Sequence, residues 1–186
     1  MTGFGKLGER VVHRGRVIST AVGTFVAPDG TEFERDLVHH PGAVSIVPLL
    51  DGGTVVLVRQ YRAPLDRSLL EIPAGKRDVA NEEPIVTARR ELAEEIGMTA
   101  DHVELLAEFY NSPGFSDEHS YTFLARGLQE TRMQRDGIEE QSMVIEHVPL
   151  RVVPALIQAG EITDAKTIIG LMMTRERLAN PPSTVA

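Results

Sequence analysis

Glu91, Glu94 and Glu95 stand three and four positions apart in a stretch that reads as the end of a helix, so their carboxylates share one face. Local helix energetics oppose that arrangement. Like charges one turn apart repel by roughly 0.2–0.5 kcal/mol. Carboxylates in a final turn also work against the helix dipole, at about 0.3–1 kcal/mol each when exposed. Arg90 offsets part of this by pairing with Glu94 one turn on. A solvated acidic surface is the bland alternative, but a local rule broken several times over points to a site. Clustered carboxylates bind hard divalent cations, and magnesium typically takes one or two of them together with phosphate oxygens of a substrate.

The elements that must position these groups follow from periodicity. Pro84 opens a helix at its first turn, Ile85, Ala88, Leu92 and Ile96 recur at steps of three and four, and Gly97 supplies the stop. The glutamate face adjoins that apolar stripe and is distinct from it. Upstream, residues 16–26 and 31–38 read as strands joined by the turn Ala27-Pro28-Asp29-Gly30. Residues 43–50 and 54–62 form a second strand pair around Asp51-Gly52-Gly53, and a short strand at 69–73 ends in a Pro-Ala-Gly corner. Further strands are expected at 103–110, 120–126 and 143–148, and helices at 152–159 and 164–178, the second capped by Thr163 or Asp164. Met172 and Met173, flanked by Ile168, Ile169 and Leu171, read as core or subunit contact. Strands, a helix, more strands and two helices suggest helices packed on a mixed sheet.

Composition narrows the function classes. The 186 residues suffice for one domain with a sizeable core, and 42% apolar with 25% charged is a globular balance. The absence of Cys excludes disulfides, thiolate zinc sites and a cysteine nucleophile. A net charge of −8 disfavours non-specific nucleic-acid binding. No apolar run reaches the roughly 18 residues of a membrane span, and Met1 to Lys6 lacks the apolar stretch of a signal peptide, so a cytoplasmic protein is expected. The six histidines show no chelating spacing. His39 and His40 are adjacent on a strand and point to opposite faces, so all six read as structural.

From the Pro-Ala-Gly corner the chain runs Gly75, Glu82, then Arg90-Glu91-Leu92-Ala93-Glu94-Glu95-Ile96-Gly97-Met98. This resembles the Nudix box: glycine, glutamate, then Arg-Glu-apolar-x-Glu-Glu-x-Gly-apolar. One departure is present. The gap between Gly75 and Glu82 spans residues 76–81, one more than the family's usual five, ahead of the helix, which leaves the register of the metal face intact and the role of Glu82 open. The resemblance implies magnesium, with manganese as the alternative, on Glu91 and Glu95, with Glu94 nearby and the carbonyl of Ala74 completing the shell. Arg90 would orient the glutamates, and Glu82 would pair with the helix end. Such a cation neutralises a pyrophosphate and acidifies a water.

Other segments resemble the ADP-ribose pyrophosphatase branch of that family. Asn111-Ser112-Pro113-Gly114-Phe115-Ser116-Asp117-Glu118 places Pro113 and Glu118 as substrate-binding residues, Glu118 on the sugar. Arg62 would take a phosphate through its fork of donors, Arg35 would reach the adenine or phosphate side, and Arg59 is read as a solvated surface residue. Gly160-Glu161-Ile162-Thr163-Asp164-Ala165-Lys166-Thr167 matches the start of the branch's last helix. The general base sits on a mobile loop in this branch, and Asp136-Gly137-Ile138-Glu139-Glu140-Gln141 fills that place, with Glu139 favoured over Glu140.

The resulting expectation is an α+β protein, a Nudix-type α/β/α sandwich with a mixed central sheet plus an N-terminal antiparallel β-hairpin. Residues 1–40 would form the N-terminal region contributing to a dimer and to substrate, 41–180 the hydrolase domain, and 181–186 a flexible tail. The expected activity is magnesium-dependent cleavage of ADP-ribose to AMP and ribose 5-phosphate by a homodimer whose partner is a small nucleoside diphosphate sugar, with no nucleic acid or membrane involved. The alternatives are a Nudix pyrophosphatase for another nucleotide or sugar nucleotide, and a Nudix module that binds ADP-ribose without cleaving it. A calcium-stabilised structural protein is disfavoured, because no Asp-x-Asp-x-Asp-Gly loop is present.

Overall fold

The computed structural model describes residues 3–135 and 137–181. Asp136 and most of the expected tail, residues 182–186, lie outside the described residues. The chain forms two compact units, residues 1–42 with 109–120, and residues 43–108 with 121–186.

The first unit is built on three antiparallel strands in the order β1 (Gly5–Arg14), β2 (Ser19–Val26), β3 (Glu32–His39). The β2–β3 hairpin closes where the Pro-Asp-Gly signal stands. Gly30 takes φ 87°, its N–H donates to the Ala27 carbonyl at 2.9 Å, and Asp29 Oδ1 accepts from the Thr31 N–H at 3.0 Å. Strand β1 was not legible beforehand. It is exposed along almost its whole length, so no alternation of burial marks its sequence. Residues 109–120 join this unit through a parallel bridge between Val38 and Ser116, with the Val38 N–H donating to the Phe115 carbonyl at 2.8 Å.

The second unit carries a seven-stranded sheet. Its path runs β10 (Val144–Pro149), β5 (Thr54–Arg62), β4 (Ala43–Leu50), β9 (His119–Glu130), β8 (Met98–Tyr110). Two short strands lie off that path: β6 (Arg67–Glu71) pairs with β5, and β7 (Ala74–Lys76) with β4. Strands β4 and β5 carry the apolar runs 46–50 and 55–58 because both their faces are covered there. Val44, Ile46, Val56 and Val58 pack with Ala88, Leu92 and Ile96 of helix α1 (Pro84–Ile96). Their neighbours Val47, Leu49, Val55 and Leu57 pack on the opposite face with Val153 of α3 (Val153–Gln158) and Leu171 of α4 (Ala165–Ala179). Period-two alternation thus sorts one sheet between two helical layers.

Three expectations need correction. Strands β8 and β9 run further than 103–110 and 120–126, because β8 is an edge strand whose added residues Thr99, Asp101 and His102 face solvent and dilute the apolar pattern. The expected loop over residues 137–141 contains one turn of helix, α2 (Ile138–Gln141), closed when Glu140 Oε2 accepts from the Gly137 N–H at 3.2 Å. Met172 and Met173 are 39% and 38% exposed, so they are not core of this chain; Thr167, Gly170, Leu171 and Thr174 take the buried face of α4.

Candidate active site

Helix α1 begins at Pro84 and stops where Gly97, at φ 65°, turns its N–H back to the carbonyls of Leu92 and Ala93. Its buried face differs from the expected stripe. Ile85 is 37% exposed, and Thr87 takes the inward place at that turn, with Oγ1 donating to the Glu83 carbonyl. Glu95 belongs to the buried set beside Leu92 and Ile96, and is 3% exposed. The acid face and the core face therefore overlap at Glu95.

Burial without a cation in contact is costly for a carboxylate. Burial, and then the charge of Glu91, push Glu95 up to about 8; the Ala74 N–H, donating to Glu95 Oε2 at 3.1 Å, only partly opposes this. Burial likewise pushes Glu91 up to about 7, against the pull of Arg90. A Cβ on Gly75 would overlap the Glu91 side chain, so the corner after Ala74 is held open for this carboxylate. Two desolvated hard-oxygen donors, both unfavourable as bare anions, suit a divalent cation. Among the described residues no three His, Asp or Glu side chains converge on one point. Glu91 and Glu95 are thus a pair of desolvated carboxylates rather than part of a larger acidic cluster.

Glu94 faces Arg90 instead. Arg90 Nη1 donates to Glu91 Oε1 and to Glu94 Oε2, each at 2.9 Å, and Nη2 donates to Glu82 Oε2 at 3.3 Å. Burial opposes the guanidinium charge, and Glu82, Glu91 and Glu94 together more than compensate. Glu82 is held below the usual carboxylate range by Thr87 and Arg90. The extra residue in the 76–81 loop is thus absorbed upstream: Asn81 adopts a left-handed φ of 63°, and Glu82 still reaches the helix.

A second buried charge cluster adjoins the first. Arg62 Nε donates to Glu71 Oε1 at 2.7 Å, and a second nitrogen to Oε2 completes the fork. Glu71 is 1% exposed, with Lys166 Nζ 3.8 Å away. Lys166 also pairs with Asp164 at 2.7 Å, while Asp164 caps α4 by accepting from the Thr167 N–H. The charge of Arg62 reaches Glu95 and lowers it. Glu71 and Lys166 were missed by the sequence reading, although a lone glutamate inside Leu69-Leu70-Glu71-Ile72 was a usable signal. Arg59 is not a free surface residue, since its Nε donates to Glu146 of β10 at 2.6 Å.

The loop carboxylates differ in the groups on which their charges act. The charge of Glu140 raises both Glu91 and Glu95. That of Glu139 acts on Tyr61, whose phenol is raised chiefly by its hydrogen bond to Asp66.

In the first unit, Arg35 and Pro113 line one cavity of about 280 Å³ together with Phe25, Leu37, Phe115 and Asp117. The Arg35 guanidinium lies 4.7 Å above the Phe33 ring and Nη1 donates to the Glu34 carbonyl at 2.7 Å. Glu118 is half-buried and does not line the cavity; its N–H donates to Ser116 Oγ at 3.2 Å. His39, which also lines this cavity, is tied at Nδ1 to Asp117 at 2.6 Å and at Nε2 to Glu9 at 3.1 Å. Among the described residues no helix is long and apolar enough to cross a membrane.

A helix bearing buried glutamates behind a glycine corner, packed on one face of a sheet whose other face carries two more helices, is the arrangement of the Nudix fold. The NUDIX domain model matches residues 39–168, and the chain belongs to the Nudix family of hydrolases. It is 38% identical over 161 residues to the ADP-ribose pyrophosphatase of Bacillus subtilis, covering 87% of this chain and 86% of that one. It is 36% identical over 169 residues to the ADP-ribose pyrophosphatase of Mycobacterium tuberculosis, covering 91% and 82%. A crystal structure of an ADP compounds hydrolase shares the fold at a TM-score of 0.83 and 22% identity, over 95% of this chain and 94% of that one.

Proposed function

We propose that the protein hydrolyses the pyrophosphate of ADP-ribose to AMP and ribose 5-phosphate, with magnesium held by Glu91 and Glu95. The observation that carries this reading is the pair of desolvated carboxylates beside the Gly75 corner, in a chain similar over most of its length to ADP-ribose pyrophosphatases. A bound divalent cation would supply charge neutralisation of the pyrophosphate and Lewis acidity toward a water.

The chain's own residues do the rest. Glu91 and Glu95 bind the cation as anions, the Ala74 backbone lies against the same site, and Arg90 holds Glu91, Glu94 and Glu82 in one orientation. Glu139 or Glu140 accepts the proton of the attacking water. Glu140 is favoured, because its charge acts on both Glu91 and Glu95. Arg62 keeps free N–H donors after satisfying Glu71 and turns them to phosphate oxygen. In the N-terminal region, residues 1–40 of the sequence reading, Arg35 serves the nucleotide; from the 109–120 segment, Pro113 shapes its cavity and Glu118 reads sugar hydroxyls. The working form is a cytoplasmic homodimer.

The test is product analysis by chromatography on a panel of nucleoside diphosphate sugars and nucleoside triphosphates, with and without magnesium or manganese. AMP and ribose 5-phosphate from ADP-ribose, with the highest kcat/KM of the panel, are expected. A triphosphate preference would defeat the substrate assignment, and light scattering showing a fully active monomer would defeat the dimer.

A further inference from the structure

Helix α1 leaves its last carbonyls without intrahelical partners, as every α-helix does. Here those acceptors are used by one short stretch of chain. The Gln134 N–H donates to the Glu94 carbonyl at 3.2 Å, the Thr131 N–H to that of Gly97 at 2.8 Å, and Arg135 Nε to that of Glu95 at 2.8 Å. The same Arg135 guanidinium donates from Nη1 to the Met143 carbonyl at 2.8 Å. Met143 is buried among Leu92 and Ile96 of α1, so this second anchor is rigid.

Arg135 stands just before, and Met143 just after, the turn of helix that carries Glu139 and Glu140. One planar fork therefore ties both ends of that segment to the turn of α1 that carries Glu94 and Glu95. The fork is what the geometry needs. Guanidinium nitrogens are fixed relative to one another and reach two acceptors at once, whereas an ammonium on a flexible stem does not hold that angle. The third nitrogen, Nη2, is buried and has no hydrogen-bond partner among the described residues.

We propose that Arg135 is a positioning residue, setting the distance between the carboxylates of residues 139 and 140 and those of residues 91 and 95. The inference rests on the reading that residue 139 or 140 is the base. It adds that the base is placed by a clamp on the end of the metal-binding helix.

The experiment uses the full chain with magnesium and ADP-ribose. R135K keeps the charge and loses the fork. It should lower kcat roughly 10²-fold, the scale of an ångström of misplacement. KM and the magnesium half-saturation point should stay within about threefold of wild type, since binding is not altered. Amides of residues 137–142 should exchange faster while those of α1 keep their protection. In an E139Q/E140Q background, R135K should add less than about twofold, because groups acting as one unit are not additive.

A wild-type kcat in R135K overturns the proposal, as does a loss that multiplies undiminished onto E139Q/E140Q. If E139Q/E140Q itself turns over normally, the assignment of the base fails and the clamp has nothing to position. R135A with added ethylguanidinium is the second variant should R135K prove unstable. Partial recovery of kcat supports the clamp, and no recovery in folded protein overturns it.

Discussion

Two glutamates are buried to the same degree in this molecule and live under opposite conditions. Glu71, at the end of β6, receives both nitrogens of the Arg62 fork and has Lys166 close by. Glu95, in the last turn of α1, receives one backbone N–H and has the like charges of Glu91 and Glu140 in range. The first carboxylate is compensated by the fold. The second is compensated only in part, by the Ala74 N–H and the more distant Arg62 charge. Charge that a fold satisfies belongs to its architecture, and charge that it leaves unsatisfied is available to something that binds.

Exchanging each glutamate for glutamine breaks that comparison most directly. Glu95→Gln should lower kcat by about two orders of magnitude or more, because it removes a charged cation ligand. Its metal-free thermal midpoint should be unchanged or raised, since the lost charge was a liability. Near-normal turnover in folded, magnesium-saturated protein would sink the site. Glu71→Gln should show the reverse emphasis, with a loss of about 2 kcal/mol in denaturant unfolding, moderated because Arg62 reaches solvent. If Glu71→Gln is neutral in stability, the Arg62 fork does not hold the fold together.

The pH dependence sharpens the contrast. Glu91 and Glu95 titrate at about 7 and 8 in the metal-free fold, against 4.5 ordinarily. With raised carboxylate values the folded state holds more protons than the unfolded chain, so stability falls as pH rises. The penalty is absent below about 4.5, grows through the interval, and is complete above about 8. The metal-free melting temperature should therefore decline from pH 5 to pH 8 by calorimetry. Saturating magnesium should flatten that decline, and Glu95→Gln should reduce it. A flat metal-free profile would mean that the two carboxylates are not desolvated.

The smallest effect belongs to the first unit, where His39 and Asp117 compensate each other. The bond to Asp117 raises His39 above its ordinary 6.5; burial opposes the Asp117 charge, but His39 and the His40 N–H hold Asp117 below its ordinary 3.8. The His39 contribution is complete below about 6.5 and is lost as pH climbs through the raised value. The Asp117 contribution is present above about 3.8 and is lost as pH drops through the lowered one. An NMR titration should place the His39 midpoint above 6.5, and Asp117→Asn should bring it down. An unchanged midpoint in Asp117→Asn would show that the pair is not formed.

How much of this was legible beforehand depended on whether the signal was local. Helix α1, strands β4 and β5, and the cap at Asp164 carry period, proline, glycine and capping residues within a few positions, and each stands where the sequence places it. Strand β1 has no buried face and so left no pattern. The Arg62–Glu71 fork joins two strands, and Arg135 joins the end of α1 to Met143 just ahead of β10, so neither partnership has a spacing that could be read.

By itself, the sequence determined the set of groups available for chemistry: Glu91, Glu94 and Glu95 on one turn of helix, Arg90 beside them, Gly75 ahead of them, and no cysteine anywhere. Side-chain type and helical spacing are local properties, fixed once the helix forms. Only the tertiary structure decided which of those carboxylates is charged at a cost. It buried Glu95 beside Leu92 and Ile96, and brought the charge of Glu140, from a distant segment, to bear on Glu91 and Glu95. The reason is desolvation, which depends on what the sheet and the neighbouring segments place around a side chain and has no signature in the residue's own position along the chain.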